Sequence, residues 1–587
     1  MKKYKFFALA FAALTLGACS SDDVVDEQRG PEWNAEGQGY INLAINLPSQ
    51  PASRANDEYD DGTPEEYDVK DATLILFSDG KVNSAYSMDL NFALDGSSDN
   101  ITTTARITQQ INSMTGKIEA LVVLNNNGVF TVGENGALTV GAVGDGIGMS
   151  LDELNKAISD NIGTNKNWHN KGFLMSNAVL ATAIGGSVAP TNADAKTLVP
   201  INASKIYKTE AEASNNPAAN IYVERAEAKV TVTNNLSGTT TDGSNMAYTI
   251  DGWCLDNTNN TSKLVRTVSG FDTWKGFASN AVTAPEDLYR FVGSTAVGTN
   301  VAETAETTET YYRIYWGDDY NYTATGADAL TTVGGQTVAD GSLIKDIDGN
   351  TPQYCFENTT DLATMLEKNC TRVVVKASFN GGQPFYTVDG DRATVWTAAD
   401  AAAEAASRIV ADLDFQTWAK ANVKDDQTKL LSTDLVVTLS DEAGVAEVEA
   451  VTLTSEGQVK LKDGADFTTA NAVALGNENI DLKYYANGEA YYSVWVSHFG
   501  KDGTPWNGDE TQTPAVGNIY PGGDANYLGR WGMLRNNWYE VNLTGIRSLG
   551  EPTVSEATGD TIDKLESFIS AQINVLSWTK RTQEAEL

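Results

Sequence analysis

The stretch "INLAINLPSQPASRANDEYDDG", Ile41 to Gly62, decides how the rest of the chain is read. Apolar side chains alternate at Ile41, Leu43, Ile45 and Leu47, with Tyr40 just before them, which is the period-two signature of a strand. Pro48 removes a backbone donor and stops the run. Small and polar residues follow, then a single basic residue, Arg54, then Ala55 and an acidic loop. A strand tied to the chain through so soft a linker can be cut off at the arginine and lost.

The chain has 587 residues, of which 41% are hydrophobic and 9% aromatic. That is enough to bury a large core, and the length predicts two to four domains. Abundant Gly and short apolar runs favour β-structure over helical bundles. The formal charge is −37, with a pI near 4.3. Such a surface repels polyanions, which excludes nucleic acid as a partner and suits a soluble extracellular surface.

The first residues, "MKKYKFFALAFAALTLGACSSDD", join a basic start, an apolar run of about 13 residues and a small-residue site, the pattern of a secretory signal. The run is too short to remain as a membrane span. Its end, "LGAC", places Cys19 where a lipid-modified cysteine is expected, with a cut near Ala18 in an ordinary signal as the alternative. A single acylated residue is then the expected membrane contact. Three other cysteines remain, Cys254, Cys355 and Cys370, an odd number that cannot close a disulfide framework. Cys355 and Cys370 flank a predicted helix, "TTDLATMLEKNC", and are the candidates to pair in an oxidising compartment. Without CxxC spacing and with only two histidines, no zinc site is expected.

Along the chain, residues 20–39 read as a disordered tether. "VKDATLILFSDGK" and "KIEALVVLNNNG" read as strands ended by turns, and "SLDELNKAISDNI" as an amphipathic helix capped by Ser150. "NIYVERAEAKVTVTNN" reads as one more strand, with a domain boundary in the loop after it. In the second half, "MAYTIDGWCLDN", "TRVVVKASFNGG", "GEAYYSVWVSHFG" and "NNWYEVNLTGIRSLG" read as strands, and "TAADAAAEAASRIVADLDFQTWAKANV" as one or two helices. A charged linker, Glu551 to Asp560, leads to a predicted short helix with Ile562, Leu565 and Ile569 on one face, then to a strand-like tail. The expected fold is mainly β: two tandem β-sandwich domains with a few short inserted helices, and a free strand-like segment at each end. The predicted division is a signal over 1–19, a tether and removable strand over 20–54, sandwich domains over 55–240 and 241–554, and a linker helix with a terminal strand over 555–587.

No catalytic constellation emerges. His169 and His498 are the only histidines, and His498 in "WVSHFG" reads as structural. GxSxG, HExxH, Walker and Rossmann patterns do not occur. "DIDGN", Asp346 to Asn350, lacks the later ligands of a calcium loop and reads as a turn, so neither a metal nor a cofactor is expected. The aromatic run Tyr311, Tyr312, Tyr315, Trp316, Tyr320 and Tyr322 reads as core and cross-strand pairs, with sugar stacking as its alternative.

Several islands of the chain resemble the type V pilins of Bacteroidetes. The site at Cys19 is similar to their lipobox, and "PASRAND" to the place where an arginine-specific protease matures them. "VERAEAKV", Val223 to Val230, is similar to the strand that ends their first domain. "LRNNWYEVNLTGIRSLGEPTV", Leu534 to Val554, and the tail "INVLSWTKRTQEAEL", Ile573 to Leu587, resemble the minor-fimbrium shaft subunit, a fimbrillin. The middles of the domains carry no such resemblance.

The resemblance implies transthyretin-like sandwiches and a surface lipoprotein precursor, anchored to the outer membrane through Cys19 and cleaved between Arg54 and Ala55. It implies loss of the strand Tyr40 to Leu47 and its replacement by a neighbour's terminal strand, with Ile573, Val575, Leu576, Trp578 and Leu587 as donor residues. The implied partners are further copies head to tail, accessory tip and anchor subunits, and an arginine-specific protease. The residues alone support the same reading, because an extended segment of another chain can complete a sheet through main-chain hydrogen bonds and alternate side chains. The change of phase between Val575 and Leu576 predicts a bulge there. A tip or anchor subunit, a glycan-binding surface lipoprotein and a glycosidase with a carboxylate pair are the competing readings.

Overall fold

The computed structural model describes residues 30–47, 66–90, 104–141, 143–162, 172–182, 195–234, 238–259, 261–268, 292–302, 307–317, 319, 351–360, 364–427, 429–498, 529, 531–562 and 568–577. The fold is mainly β, as expected from the composition. Its first sheet uses β1 (Gln38–Asn46), β2 (Ala72–Ser78), β3 (Lys81–Met88), β4 (Thr104–Asn112), β5 (Ile118–Leu124), β6 (Met175–Asn177) and β7 (Pro217–Arg225), in the order β3-β2-β5-β6-β7-β1-β4. A short strand at Val199–Pro200 also pairs with β5.

This sheet is buried on both faces, which explains the unbroken apolar runs in β2 and β5. Leu74, Leu76, Val122 and Leu124 point to one core, while Ile75, Phe77, Leu121 and Val123 point to another. Helix α1 (Leu151–Ile162) covers the second core with Leu154, Ala157 and Ile158. Its start is the expected cap: Glu153 N–H donates to Ser150 Oγ at 3.2 Å, and Ser150 N–H donates to a Glu153 carboxylate oxygen at 2.7 Å. The bond from the Ser150 amide, followed by those from Lys81 and the Ser150 hydroxyl, holds the Glu153 carboxyl down at about 2.

The single strand read from "NIYVERAEAKVTVTNN" is two. The chain leaves the first sheet at Arg225, buries Ala226 against the core beside α1, and enters a second sheet as β8 (Glu227–Asn234). The second half adds β9 (Tyr248–Asp256), β10 (Gln353–Phe356), β11 (Arg372–Phe379), β12 (Phe385–Val388), β13 (Leu482–Tyr485), β14 (Glu489–Trp495), β15 (Asn537–Ile546) and β16 (Ile569–Ser577). Sheet β10-β8-β15-β16 and sheet β9-β11-β14 share one core, in which Val230, Trp253, Val375, Tyr492, Tyr539 and Val541 are buried. Between β12 and β13, α2 (Ala398–Ala411) and α3 (Leu413–Asn422) form the expected helix pair, with Asp412 closing one and capping the next. Their core is separate, built on Ile409, Phe415, Leu435 and Leu475.

Three local expectations are corrected. The part of "TTDLATMLEKNC" that is described is one short 3-10 turn at Glu367–Asn369, because the amides of Glu367 and Lys368 donate to Asp560 and Thr558 carbonyls and not along a helix. Ile569 begins a strand and lies on no helix. Within the tether read over 20–39, Glu32 N–H donates to Ile206 O at 3.2 Å and Trp33 packs on the first-sheet core. Gly39 makes that packing feasible, since a Cβ there would lie 2.8 Å from the Trp33 ring.

The two-faced sheet predicts a sharp contrast between sites. Leu121→Ala, fully buried, should cost about 2–5 kcal/mol. Leu413→Ala, 76% exposed, should stay within about 0.5 kcal/mol. Denaturant melts of both variants check this, and equal losses would contradict the assignment of the core.

Candidate functional site

The strand predicted from Tyr40 to Leu47 is β1, and it is an interior strand, not an edge. It runs parallel to β7, with Leu43 opposite Ala219 and Ile45 opposite Ile221, and antiparallel to β4, from Gln38 opposite Asn112 to Asn46 opposite Thr104. Ile41, Leu43, Ile45 and Leu47 all enter the first-sheet core. Each such side chain contributes roughly 1.5–3 kcal/mol when fully buried. The opposite face carries Asn42 and Ala44, also buried. Taking β1 away would leave a slot with β7 as one wall and β4 as the other.

The two walls hold β1 differently. β7 is built into the sheet through β6. Among the described residues β4 ends the sheet, and β1 is its one strand partner. Asn42 donates to Thr108 Oγ1 at 3.0 Å, Thr104 donates to Asn46 Oδ1 at 2.8 Å, and Gln110 donates to Gln38 at 2.9 Å and to the Tyr40 hydroxyl at 3.0 Å.

The tail residues Ile573, Val575 and Leu576 lie in β16, an edge strand on β15 of the same chain. Ile569, Ala571 and Ile573 sit on the core shared by the second and third sheets. The irregularity of this pair falls between Leu543 and Gly545 of β15, and no shift occurs at Val575 and Leu576. An extra residue in the partner strand absorbs the twist, so the bulge predicted in the tail is not needed. Cys19, Arg54, Ala55, Trp578 and Leu587 lie outside the described residues, as do Asp346 to Asn350, Tyr320, Tyr322 and His169.

Cys355 and Cys370 do not bond to each other. Cys355 lies in the core of the second and third sheets, its Sγ 3.5 Å from Met533 Sδ, while Cys370 packs with Met365 and Ile562. Burial, with the Glu227 charge, pushes the Cys355 thiol well above its ordinary range, so it is inert as a nucleophile. Of the aromatic run, Tyr311 and Trp316 are core residues, in line with the packing reading. His498 is structural, its Nδ1 2.7 Å from the Tyr539 hydroxyl, which also accepts the Leu534 amide at 2.7 Å.

Sequence reading missed two sets of buried charges. Glu66 stands just after the acidic loop, and its carboxylate meets Lys229 Nζ at 2.9 Å and accepts the Tyr354 hydroxyl at 2.7 Å. Lys229 also lies 4.0 Å from the centre of the Trp538 ring. Second, Arg535 meets Glu357 at 2.6 Å, and Arg266 lies 3.2 Å from Glu224 and 3.4 Å from Glu357. Burial alone would raise the Glu357 carboxyl, but the guanidinium groups of Arg535 and Arg266 outweigh it and hold the group below the usual carboxylate range. The available signal was charge set within or beside apolar strands, as in "YVERAEAKV" and "MLRNNW". These charges join the segment after the acidic loop and the end of β7 to the fold's second half.

Residues 483–584, which include β14, β15 and β16, match the family model described as major fimbrial subunit protein type IV, fimbrillin, C-terminal. The C-terminal region of this chain is thus similar to that of fimbrillins. The resemblance seen in "LRNNWYEVNLTGIRSLGEPTV" and the tail falls within this match. No curated protein matches the sequence. Among solved structures the chain is similar to a fimbrilin from Porphyromonas gingivalis, at 12% identity over 92% of this chain and 99% of that one, with a TM-score of 0.35. It is also similar to a candidate cell adhesion protein from Parabacteroides distasonis, at 10% identity over 93% and 98%, with a TM-score of 0.34. A third is a C-terminally truncated tip fimbrial protein from Porphyromonas gingivalis, at 8% identity over 92% and 100%, with a TM-score of 0.24.

Two outcomes follow from the buried groups. Lys229→Met strands the Glu66 carboxylate and should cost about 3–5 kcal/mol, while the double variant Glu66→Gln, Lys229→Met should recover a large part of it. Simple additivity in urea melts would contradict the pairing. Burial, then Arg313 and Arg266, push the His498 imidazole from its ordinary 6.5 down to about 3. The unfolded chain therefore binds a proton that the fold refuses, and stability falls as pH drops from 6.5 toward 3. His498→Phe should flatten the fall in melting temperature between pH 6.5 and 5; an unchanged slope would refute the assignment.

Proposed function

We propose that the protein is the structural subunit of a cell-surface fimbrium, made as a lipoprotein precursor at Cys19 and matured by cleavage between Arg54 and Ala55. The observation that carries the reading is the position of β1: first among the described strands, yet lying between β7 and β4 with four apolar side chains in the core. The fimbrillin match of residues 483–584 supports a fimbrial role, and that family is structural and not enzymatic. Among the described residues no helix is long and apolar enough to cross a membrane, which fits an anchor supplied by acyl chains.

In the precursor, β1 occupies its slot because the linker keeps its effective concentration high. Cleavage after Arg54 turns this into a bimolecular contact, and the segment 20–54 can leave. The tail of a second copy then fills the slot. It presents Ile569, Ala571, Ile573 and Val575 at alternate positions, as β1 presents Ile41, Leu43, Ile45 and Leu47. To do so the tail leaves β15 of its own chain, so a place on its own chain is exchanged for one on a neighbour. The contact joins unlike surfaces of successive copies and builds an open fibre. Carrying both a removable strand and a tail favours a shaft subunit over a tip or anchor, which needs only one of them. Glu66 and Lys229 would hold the new N-terminal segment to the body after the cut.

The test is treatment of the soluble chain from Ser20 with an arginine-specific protease, beside Arg54→Ala. The expected result is a new N-terminus at Ala55 and a ladder of detergent-resistant multimers on unheated gels, both absent from the variant. A chain ending at Ser570 should fold and fail to polymerise. A stable monomer without cleavage at Arg54, or fibres from the shortened chain, would overturn the reading.

A further inference from the structure

β4 depends on β1 more than any other strand of the first sheet does. Nine consecutive residues of β4, Thr104 to Asn112, are in register with β1, and β4 has no second strand neighbour among the described residues. The side-chain bonds from Thr104, Thr108 and Gln110 all end on β1. Among the described residues, bonds to the rest of the molecule begin only at the far end, where the Asn112 amide donates to the Tyr86 hydroxyl at 2.8 Å and the Asn112 side chain to Asn135 O at 3.3 Å. Ile111, next to that end, is in the core, while Ile107 is half-buried. Within the dependent stretch stands Arg106, opposite Ala44, with its side chain exposed to solvent.

A protease needs several residues of backbone free of their ladder before it can bind them extended in its cleft, and paired strands are resistant for that reason. We propose that the bond between Arg106 and Ile107 is a second site for an arginine-specific protease, masked while a strand occupies the slot and exposed in a cleaved subunit whose slot is empty. The reaction is hydrolysis: water adds across the peptide bond, leaving a carboxylate on Arg106 and an amine on Ile107. A subunit that has lost β1 and found no neighbour thus loses one wall of its own slot and cannot enter a fibre. A subunit filled by another copy's tail keeps β4 paired and survives. The same protease class that starts assembly would in this way remove subunits that fail to assemble. This inference rests on the reading of Arg54 as the processing site.

The experiment is a time course with an arginine-specific protease on the soluble chain from Ser20, read by N-terminal sequencing and intact mass. Ala55 should appear first, and Ile107 only after the 20–54 fragment has separated from the body on gel filtration. A synthetic peptide of residues 38–47 in excess should slow the second cut by about tenfold or more. Arg106→Lys should abolish the second cut and leave the first. A chain carrying Leu43→Asp and Ile45→Asp, whose β1 cannot seat, should be cut at Arg106 without waiting for Arg54. Release of the fragment with Arg106 still intact in the monomeric fraction, whose slots no tail has filled, would overturn the inference and leave the pilin reading standing. Failure of cleavage at Arg54 would overturn both, whereas cleavage of the native precursor at Arg106 before Arg54 would overturn the inference alone. Resistance of the double aspartate chain at Arg106 would also overturn the inference.

Discussion

The structure depends on one strand being in the middle of a sheet while standing first among the described strands. β1 is made by local sequence, a simple alternation ended by proline, but its partners lie about 60 and 180 residues away. On one side it completes a wall anchored deep in the sheet, and on the other it is the support of β4. Four aliphatic side chains and two ladders hold it, and none of these contacts requires a covalent link to the body. That combination is uncommon in a sheet meant only to be stable. It is what a replaceable strand requires: high gross affinity, supplied by main-chain bonds and generic apolar pockets that another extended segment can satisfy.

The buried ions do the opposite work. A replaceable strand weakens a fold unless the remainder is held independently of it. Glu66 with Lys229 fixes the chain beyond the acidic loop, and Glu224, Arg266, Glu357 and Arg535 tie the end of β7 to residues of the second half. Such pairs add little net stability compared with apolar packing, but leaving one partner alone is costly, so they enforce one arrangement of the segments they join. In the proposed exchange they lie on the elements that must stay in place once β1 has gone.

The sequence made much of this legible. Because each is set by local pattern, periodicity located β1, the runs of β2 and β5, helix α1 with its cap and the helical stretch of α2 and α3, though not its division at Asp412. Tertiary pairing was not legible: β1 as an interior strand, the break at Ala226, and the register in which β15 takes up the bulge expected at Val575. The turn at Glu367–Asn369 shows the same limit, since its amides are claimed by Thr558 and Asp560, distant in sequence. The charges stood out in the sequence but their pairing did not, because a Glu or Arg in or beside a strand has the same pattern whether it faces solvent or a buried partner. The site residues Cys19 and Arg54 rest on sequence pattern alone.

The central claim is that the slot between β7 and β4 is filled by the tail of another copy. It is tested most directly by mixing isotopically labelled and unlabelled chains, cleaving them, cross-linking the product and identifying joined peptides by mass. The account predicts mixed-label pairs linking the terminal segment 569–587 of one copy to residues 104–112 or 217–225 of another. Pairs joining the tail only to β15 of its own chain, with the fragment 20–54 still in the slot, would contradict it.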